Sequence, residues 1–391
     1  MPKRNVPELR LAGFDGEWDN KKLREIGTAY GGLTGKAKAD FGHGNAHYIT
    51  YMDVFANTRI LNARNCGTVE IDPKQTEVKF GDALFTVSSE VPEEVGMSSV
   101  WLVNMPNTYL NSFCFGFRPH ATVQSDFFAY ALRSPSIRQQ FTTLAQGISR
   151  FNISKHKTLD INVSLPNAGN EQKAIGAVFS DLDAVIEKHE QRHRALQQTR
   201  SALMQRMFPQ EGETEPRLRL EGFEGEWKRK TVKQVAPLQR GFDLPNSKLK
   251  TGDVPVVMSN GIENYHSTPK VQGPGVVTGR SGTIGKLQYI EQDYWPHNTT
   301  LWVTNFHNNN PRFIYFLFES IKLEKFASGS GVPTLNRNDV HDSSVTIPPA
   351  LAEQEAIGAV FSKLDGLIAA EAKLVEKLKQ AKTALLQKMF V

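Results

Sequence analysis

Towards the end of the chain, after Pro348-Pro349, apolar residues fall at Leu364, Leu367, Leu374, Leu378, Ala381, Leu385 and Met389. The 3–4 alternation is the seam of a heptad helix. Glu371 is the one charged residue in that phase. The same phase occurs earlier at Leu182, Val185, Leu196, Thr199 and Leu203, interrupted by His189 and Arg192. Two long amphipathic helices are therefore expected, each packing on its own domain or the two packing on each other. The repeat described below favours mutual packing. A pseudo-two-fold axis would pair them antiparallel through Leu182, Leu196, Leu203, Leu364, Leu378 and Leu385. His189, Arg192 and Glu371 would then lie near mid-length and fix the register at some cost in stability. About 35 helical residues at ~1.5 Å each make a rod roughly 50 Å long, with a body expected at either end.

Elsewhere the pattern is mixed. Short strands bounded by turn residues are expected at Tyr48–Phe55, Asp82–Val87 and Leu159–Leu165, and again at Val254–Met258, Gly275–Thr278 and Thr300–Thr304. Helices with an F-x-Y-x-L pattern are expected at Asp126–Leu132 (Phe128, Tyr130, Leu132) and Arg312–Phe318 (Phe313, Tyr315, Leu317). A glycine-containing loop follows each, Gly147–Lys155 and Gly329–Arg337.

These elements come in two sets because the chain repeats itself. PELRLAGFDGEW, ending at Trp18, returns as PRLRLEGFEGEW, ending at Trp227, offset by 209 with nine of twelve positions identical. EQKAIGAVFSDLD from Glu171 returns as EQEAIGAVFSKLD from Glu353, offset by 182 with eleven of thirteen identical. Two such pairs in one order indicate duplication. The expected division is an entry segment and first body at 1–165, a first long helix at 166–208, an acidic Pro/Gly linker and second entry segment at 209–226, a second body at 227–347 and a second long helix at 348–391. The fold class is α+β: two mixed α/β bodies separated by two long antiparallel coiled-coil helices.

Composition narrows the function. With 391 residues and a net charge of +5, the chain is only mildly basic, which permits a nucleic-acid face without requiring one. Two cysteines, Cys66 and Cys114, argue against a disulfide scaffold or a Cys-rich zinc module. The start lacks the apolar core of a signal peptide, and the longest apolar runs are too short to span a bilayer. A cytoplasmic protein without membrane contact is expected.

A catalytic site is not legible. Gly279-Arg-Ser-Gly-Thr-Ile-Gly-Lys-Leu resembles a phosphate loop but has Arg280 at the first glycine position and Leu287 where Ser or Thr must bind magnesium. Glu77-Val-Lys79 with Asp72 is a common triplet rather than a nuclease site. His43 and His47 sit in a glycine-rich loop without an adjacent acid. No catalytic residue, metal site or cofactor is assigned.

The loops offer cations and amides instead. In the first body these are Lys36, Lys38, His43, Asn45 and His47, then Arg150, Asn152 and Lys155. In the second they are Asn260, Asn264, Arg280, Ser281, Lys286, Asn298, Asn336 and Arg337. Arg and Lys suit guanine edges, Asn suits adenine, and all of them suit phosphates. Solvated loop polarity is the plain alternative for any single residue; duplication and positive charge together favour duplex DNA.

The entry LRLxGFxGEW, the closing LP or IPP segment followed by EQxAIGAVFSxLD, and the end LLQKMF resemble the specificity subunit of type I restriction–modification enzymes. The loops GISRFNIS and GSGVPTLN are similar to that family's target-recognition domains. The resemblance implies a non-catalytic subunit that reads a bipartite double-stranded DNA target, one half-site per body, with an unread spacer set by the helices. It implies assembly with two methyltransferase (modification) subunits, which use S-adenosylmethionine on adenine, and with restriction subunits, which are ATP-dependent translocases and endonucleases. Three alternatives stay open: a related defence or type II system built on the same subunit, a self-sufficient methyltransferase, and a protein-binding coiled-coil scaffold.

Overall fold

The computed structural model describes residues 5–120, 122–210, 212–329 and 333–391. The chain forms two compact units, 1–189 with 374–391, and 190–373. The division falls inside both long helices, Gly169–Met207 and Leu351–Met389, each of 39 residues. Each unit thus contains the start of one long helix and the end of the other. The sequence repeat and the packing units therefore do not share their boundaries.

In the first unit a five-stranded sheet runs in the order Gly27–Gly31, Cys114–Pro119, Ala83–Thr86, Ser98–Trp101 and Arg59–Ile60. A second sheet pairs Phe41–Ile49 with Gly67–Val69 on one side and Thr108–Leu110 on the other. In the second unit a four-stranded antiparallel sheet runs Leu238–Arg240, Thr300–Val303, Gly275–Gly279 and Leu287–Ile290. A three-stranded sheet centres on Val254–Met258. Most expected strands are present. Tyr48–Phe55 is the exception, because the strand ends at Ile49 and Tyr51–Ala56 is helical. The cause is local: Thr50 and Asp53 form a capping box, which starts a helix where the apolar pattern alone suggested a strand.

Both halves of the sequence repeat meet in a two-stranded ribbon that closes each body. Asp19 pairs with Leu165 in one unit, and Lys228 with Ile347 in the other. Residues 209 apart and residues 182 apart thus occupy equivalent places. The repeated Arg, Trp and Glu form a clamp on the helix start. Arg10 grips Glu171 with two bonds of 2.8 Å, and the Trp18 indole donates to Glu171 at 3.3 Å. Arg219 grips Glu353 identically, and the Trp227 indole donates at 3.2 Å. The helix ends are held in the same way. The Leu9 amide donates to the Lys388 carbonyl and the Leu218 amide to the Arg206 carbonyl, each at 2.8 Å, satisfying groups a helix end leaves open.

The cores are aromatic. In the first unit Phe390 packs on Phe127 and Phe179; in the second, Phe208 packs on Phe313 and Phe361. Burying each such ring contributes on the order of 1.5–3 kcal/mol. The repeated glycine of AIGAVFS has a packing reason, because a Cβ on Gly176 would lie 2.8 Å from the Phe127 amide nitrogen. These contacts also correct the alignment of the body helices, Ser125–Ala131 and Pro311–Ile321. Phe127 matches Phe313 and Tyr130 matches Phe316, so the F-x-Y-x-L patterns align one residue away from their packing equivalence.

Within each unit the helical segments run antiparallel. Asp183 bonds Lys382 at 2.6 Å and Phe179 meets Phe390 in the first unit. In the second, Arg192 lies 3.8 Å from Glu371, Arg200 pairs with Asp365, and Phe208 meets Phe361. The seam keeps Leu182, Leu196, Leu203, Leu364, Leu378 and Leu385, all half-buried. The alternate positions are shifted by one residue. Val185, Arg192, Thr199, Leu367 and Leu374 are exposed, while Ile186 is buried and His193, Arg200, Ile368 and Val375 are half-buried. Either neighbour continues a heptad from the shared leucines, and at Val185/Ile186, Leu367/Ile368 and Leu374/Val375 both are apolar. His189 is half-buried and Glu371 buried, while Arg192 is exposed beside the seam.

Candidate nucleic-acid interface

The second body draws several of its candidate residues together. Strand Gly275–Gly279 leads into a tight loop closed by Gly279 N–H to Lys286 O and Gly285 N–H to Gly279 O, both 3.0 Å. Arg280 follows, with its amide donating to Thr299 O and its carbonyl accepting from Leu335 N–H, both at 2.8 Å. Ser281 pairs with Thr334. The loops at 259–260, 280–286, 297–299 and 334–337 therefore converge. Within them Lys286 donates to the Asn260 carbonyl, the Asn260 amide to Glu263 and the Asn298 amide to Asp243. These bonds brace the loops and occupy donors that sequence reasoning assigned to DNA. Asn336 accepts from Asn338 N–H at 3.0 Å and caps the helix Arg337–Asp342. Arg337 is exposed and Arg280 half-buried. Asn264 stands apart in the hairpin strand Gly261–His266, opposite Val256. Of the loop Gly329–Arg337, residues 330–332 lie outside the described residues.

Two histidines of this unit bind protons less readily than a free imidazole. Burial lowers the affinity of His297 for a proton, against the pull of Asp243. His341 is lowered mainly by burial and further by Arg337 and Lys233, while its Nε2 accepts the Leu238 amide at 2.8 Å.

The first body divides its candidates between two places. Lys36 is ion-paired with Asp72 at 2.9 Å, and that contact leads the forces holding the Asp72 carboxyl down at about 2. Lys38 is exposed in a short 3-10 turn. His43 and Asn45 are exposed on a bulge, because Phe41 and Ala46 both pair with Val69. Gly44 allows this with a φ of +96°; a Cβ there would lie 2.4 Å from the Val69 carbonyl oxygen. His47 is half-buried on the same strand.

The late loop belongs to a different ribbon, Phe151–Asn152 against Ser88–Ser89. Arg150 donates to Ser88 Oγ at 3.1 Å, Asn152 exchanges backbone bonds with Gln146, and Lys155 begins a short helix. Sequence reasoning missed the apolar side chains beside it. Ile148 and Phe113 are exposed here, and Met52 sits on a groove with Tyr51, Phe55 and Arg150. Large apolar residues normally signal core, so only the polar company of Ile148 in GISR hinted at exposure.

Net charge overstates the cations available to a ligand. Arg133 donates to the carbonyls of Ser98, Val54, Phe55 and Asn57, and Arg138 to those of Gly96, Glu93 and Val95. Burial pushes both guanidinium groups down to about 10. Among the described residues, no group of three or more His, Cys, Asp or Glu is placed to hold a metal ion. No described helix is long and apolar enough to cross a membrane.

Comparison with solved structures gives the same architecture. The S subunit of a type I restriction-modification system from M. genitalium aligns over 99% of both chains with a TM-score of 0.65 at 16% identity. A chain from a study of complex assembly and conformational transition in the type I R-M system aligns over 94% of this chain and 96% of its own, with a TM-score of 0.53 at 15% identity. At these identities the likeness concerns the fold. No curated relative matches in sequence. The family described as Type I restriction modification DNA specificity domain matches twice, over residues 15–198 and 224–380. With both matches covering most of the chain, and each falling on one copy of the repeat, the protein belongs to the type I restriction-modification DNA specificity family.

Proposed function

We propose that this chain reads a bipartite DNA target, one half-site per body, and directs methyltransferase and restriction subunits to it without performing chemistry itself. The supporting observation is that two bodies share one backbone frame, down to equivalent hydrogen bonds, while their loop side chains differ. A common frame with unlike contents suits two readers of two different sequences. Phosphate contacts from residues such as Arg337 and Lys155 would hold each body. Loop side chains would discriminate bases at ~1–3 kcal/mol per good bidentate pair. The long helices would act as a ruler that sets the unread spacer. Methyl transfer would reside in partner subunits that carry S-adenosylmethionine, and the assembly would work in the cytoplasm.

The test is to map methylated adenines genome-wide in cells with and without the chain, then with residues 19–165 exchanged for another such body. Loss of one bipartite motif without the chain, and a change confined to one half-site after the exchange, are expected. A change in both half-sites, or methylation by the purified chain alone, would refute the reading.

A further inference from the structure

The two bodies correspond through their backbone hydrogen bonds. In the first, Val87 donates to the Phe113 carbonyl and accepts from the Ile153 amide; in the second, Arg280 donates to the Thr299 carbonyl and accepts from the Leu335 amide. Asn152 pairs with Ser88 as Thr334 pairs with Ser281. Phe113 therefore stands where Thr299 stands, and Ser112 where Asn298 stands. Three adjacent backbones, around 113, 87–88 and 151–153, correspond to those around 299, 280–281 and 333–335.

The chemistry displayed there is opposite. The second body has the polar, half-buried Asn298, Thr299 and Thr334 there, with Asn298 bonded to Asp243 and Thr299 accepting from the Ser259 amide. The first presents Phe113, 62% exposed, and Ile148, 98% exposed, at the tip of a loop whose base is tied by the Gln146–Asn152 bonds. Such a loop does not leave an isoleucine in water for want of anchoring; its frame holds the side chain outward. The loop Gly147–Lys155 contains Arg150 and Lys155 and no acidic residue, while Glu90 and Glu94 share the neighbouring groove with Arg150, so complementarity to a polyanion is confined to the loop itself.

We propose that Phe113 and Ile148 are specificity-determining residues that contact thymine 5-methyl groups in the half-site read by the first body. The thymine methyl is the one apolar feature of the major-groove base edges. This rests on the proposed DNA-reading function and adds the chemistry by which one body reads.

The experiment uses the full chain assembled with its modification subunits and a duplex carrying the mapped target. Each thymine of the first body's half-site is replaced in turn by deoxyuridine, which removes only the methyl. Expected is a loss of affinity of about fourfold at one or two positions, the worth of one buried methyl. In F113S or I148S complexes the same replacement should have no effect, and mapped methylation should tolerate another base at that position alone. The proposal is overturned if no thymine in that half-site responds, or if the response persists in both variants. It is likewise overturned if either variant weakens subunit assembly and leaves base preference intact, which would make this a protein-binding surface. Should the unsubstituted complex show no salt-sensitive binding to its target, the broader reading fails as well.

Discussion

The clamp of Arg10, Trp18 and Glu171 lends itself to a quantitative test. The Glu171 side chain is 2% exposed and receives two bonds from Arg10 and one from Trp18. Arg10 also donates to the Gly16 and Asp15 carbonyls, so it pins the entry turn to the helix start. Arg10→Ala leaves a buried carboxylate with only the indole donor, and breaking a buried pair in this way costs about 3–5 kcal/mol. That corresponds to roughly a 150- to 5,000-fold rise in the opening equilibrium of the helix start. Hydrogen exchange read by mass spectrometry measures it locally. Peptides from residues 5–22 and 169–186 should lose protection by that factor. The twin clamp of Arg219, Trp227 and Glu353 supplies an internal control, so peptides from 351–368 should stay unchanged. Arg10→Met combined with Glu171→Leu should recover most of the loss, because no charge is then stranded. Unchanged exchange at 169–186 in Arg10→Ala, or an equal loss at 351–368, would refute the assignment of the clamp as a local anchor.

Three further outcomes are expected. Val185→Lys should change stability to denaturant by under ~0.5 kcal/mol, whereas Ile186→Lys should cost about 2–4 kcal/mol; equal costs would refute the observed seam phase. His341 accepts the Leu238 amide and its folded pKa lies below the ordinary value near 6.5, so the unfolded chain takes up the proton first. Stability of the second unit should accordingly fall as pH drops from about 7 through 6.5 towards the lowered folded value, then lose no more from this group. His341→Asn should reduce that slope in pH-dependent melting, and an unaltered slope would exclude the residue. Burial pushes the Cys66 and Cys114 thiols up to about 11 and about 12, so both should react slowly with a thiol reagent at pH 8 and rapidly in denaturant. Fast labelling of the folded chain would contradict their environment.

Duplication was visible in the amino-acid order alone, since two long matched segments at fixed offsets survive any arrangement in space. So were two long helices, because a heptad pattern depends only on neighbours along the chain. The absence of a recognisable phosphate loop could also be read directly, and so could membership of a family built on these motifs. Tertiary structure decided what depends on residues far apart. It revealed the repeated Arg, Trp and Glu as an anchor for a helix start. It chose between two seam phases that the shared leucines leave open, burying Ile186 and exposing Val185. It tied Asn260, Lys286 and Asn298 into hydrogen bonds between loops and left Phe113 and Ile148 facing water. Polarity along the chain registers what a side chain is, and hydrogen bonding is satisfied only in three dimensions, so which polar groups remain available to a partner becomes visible only in the fold.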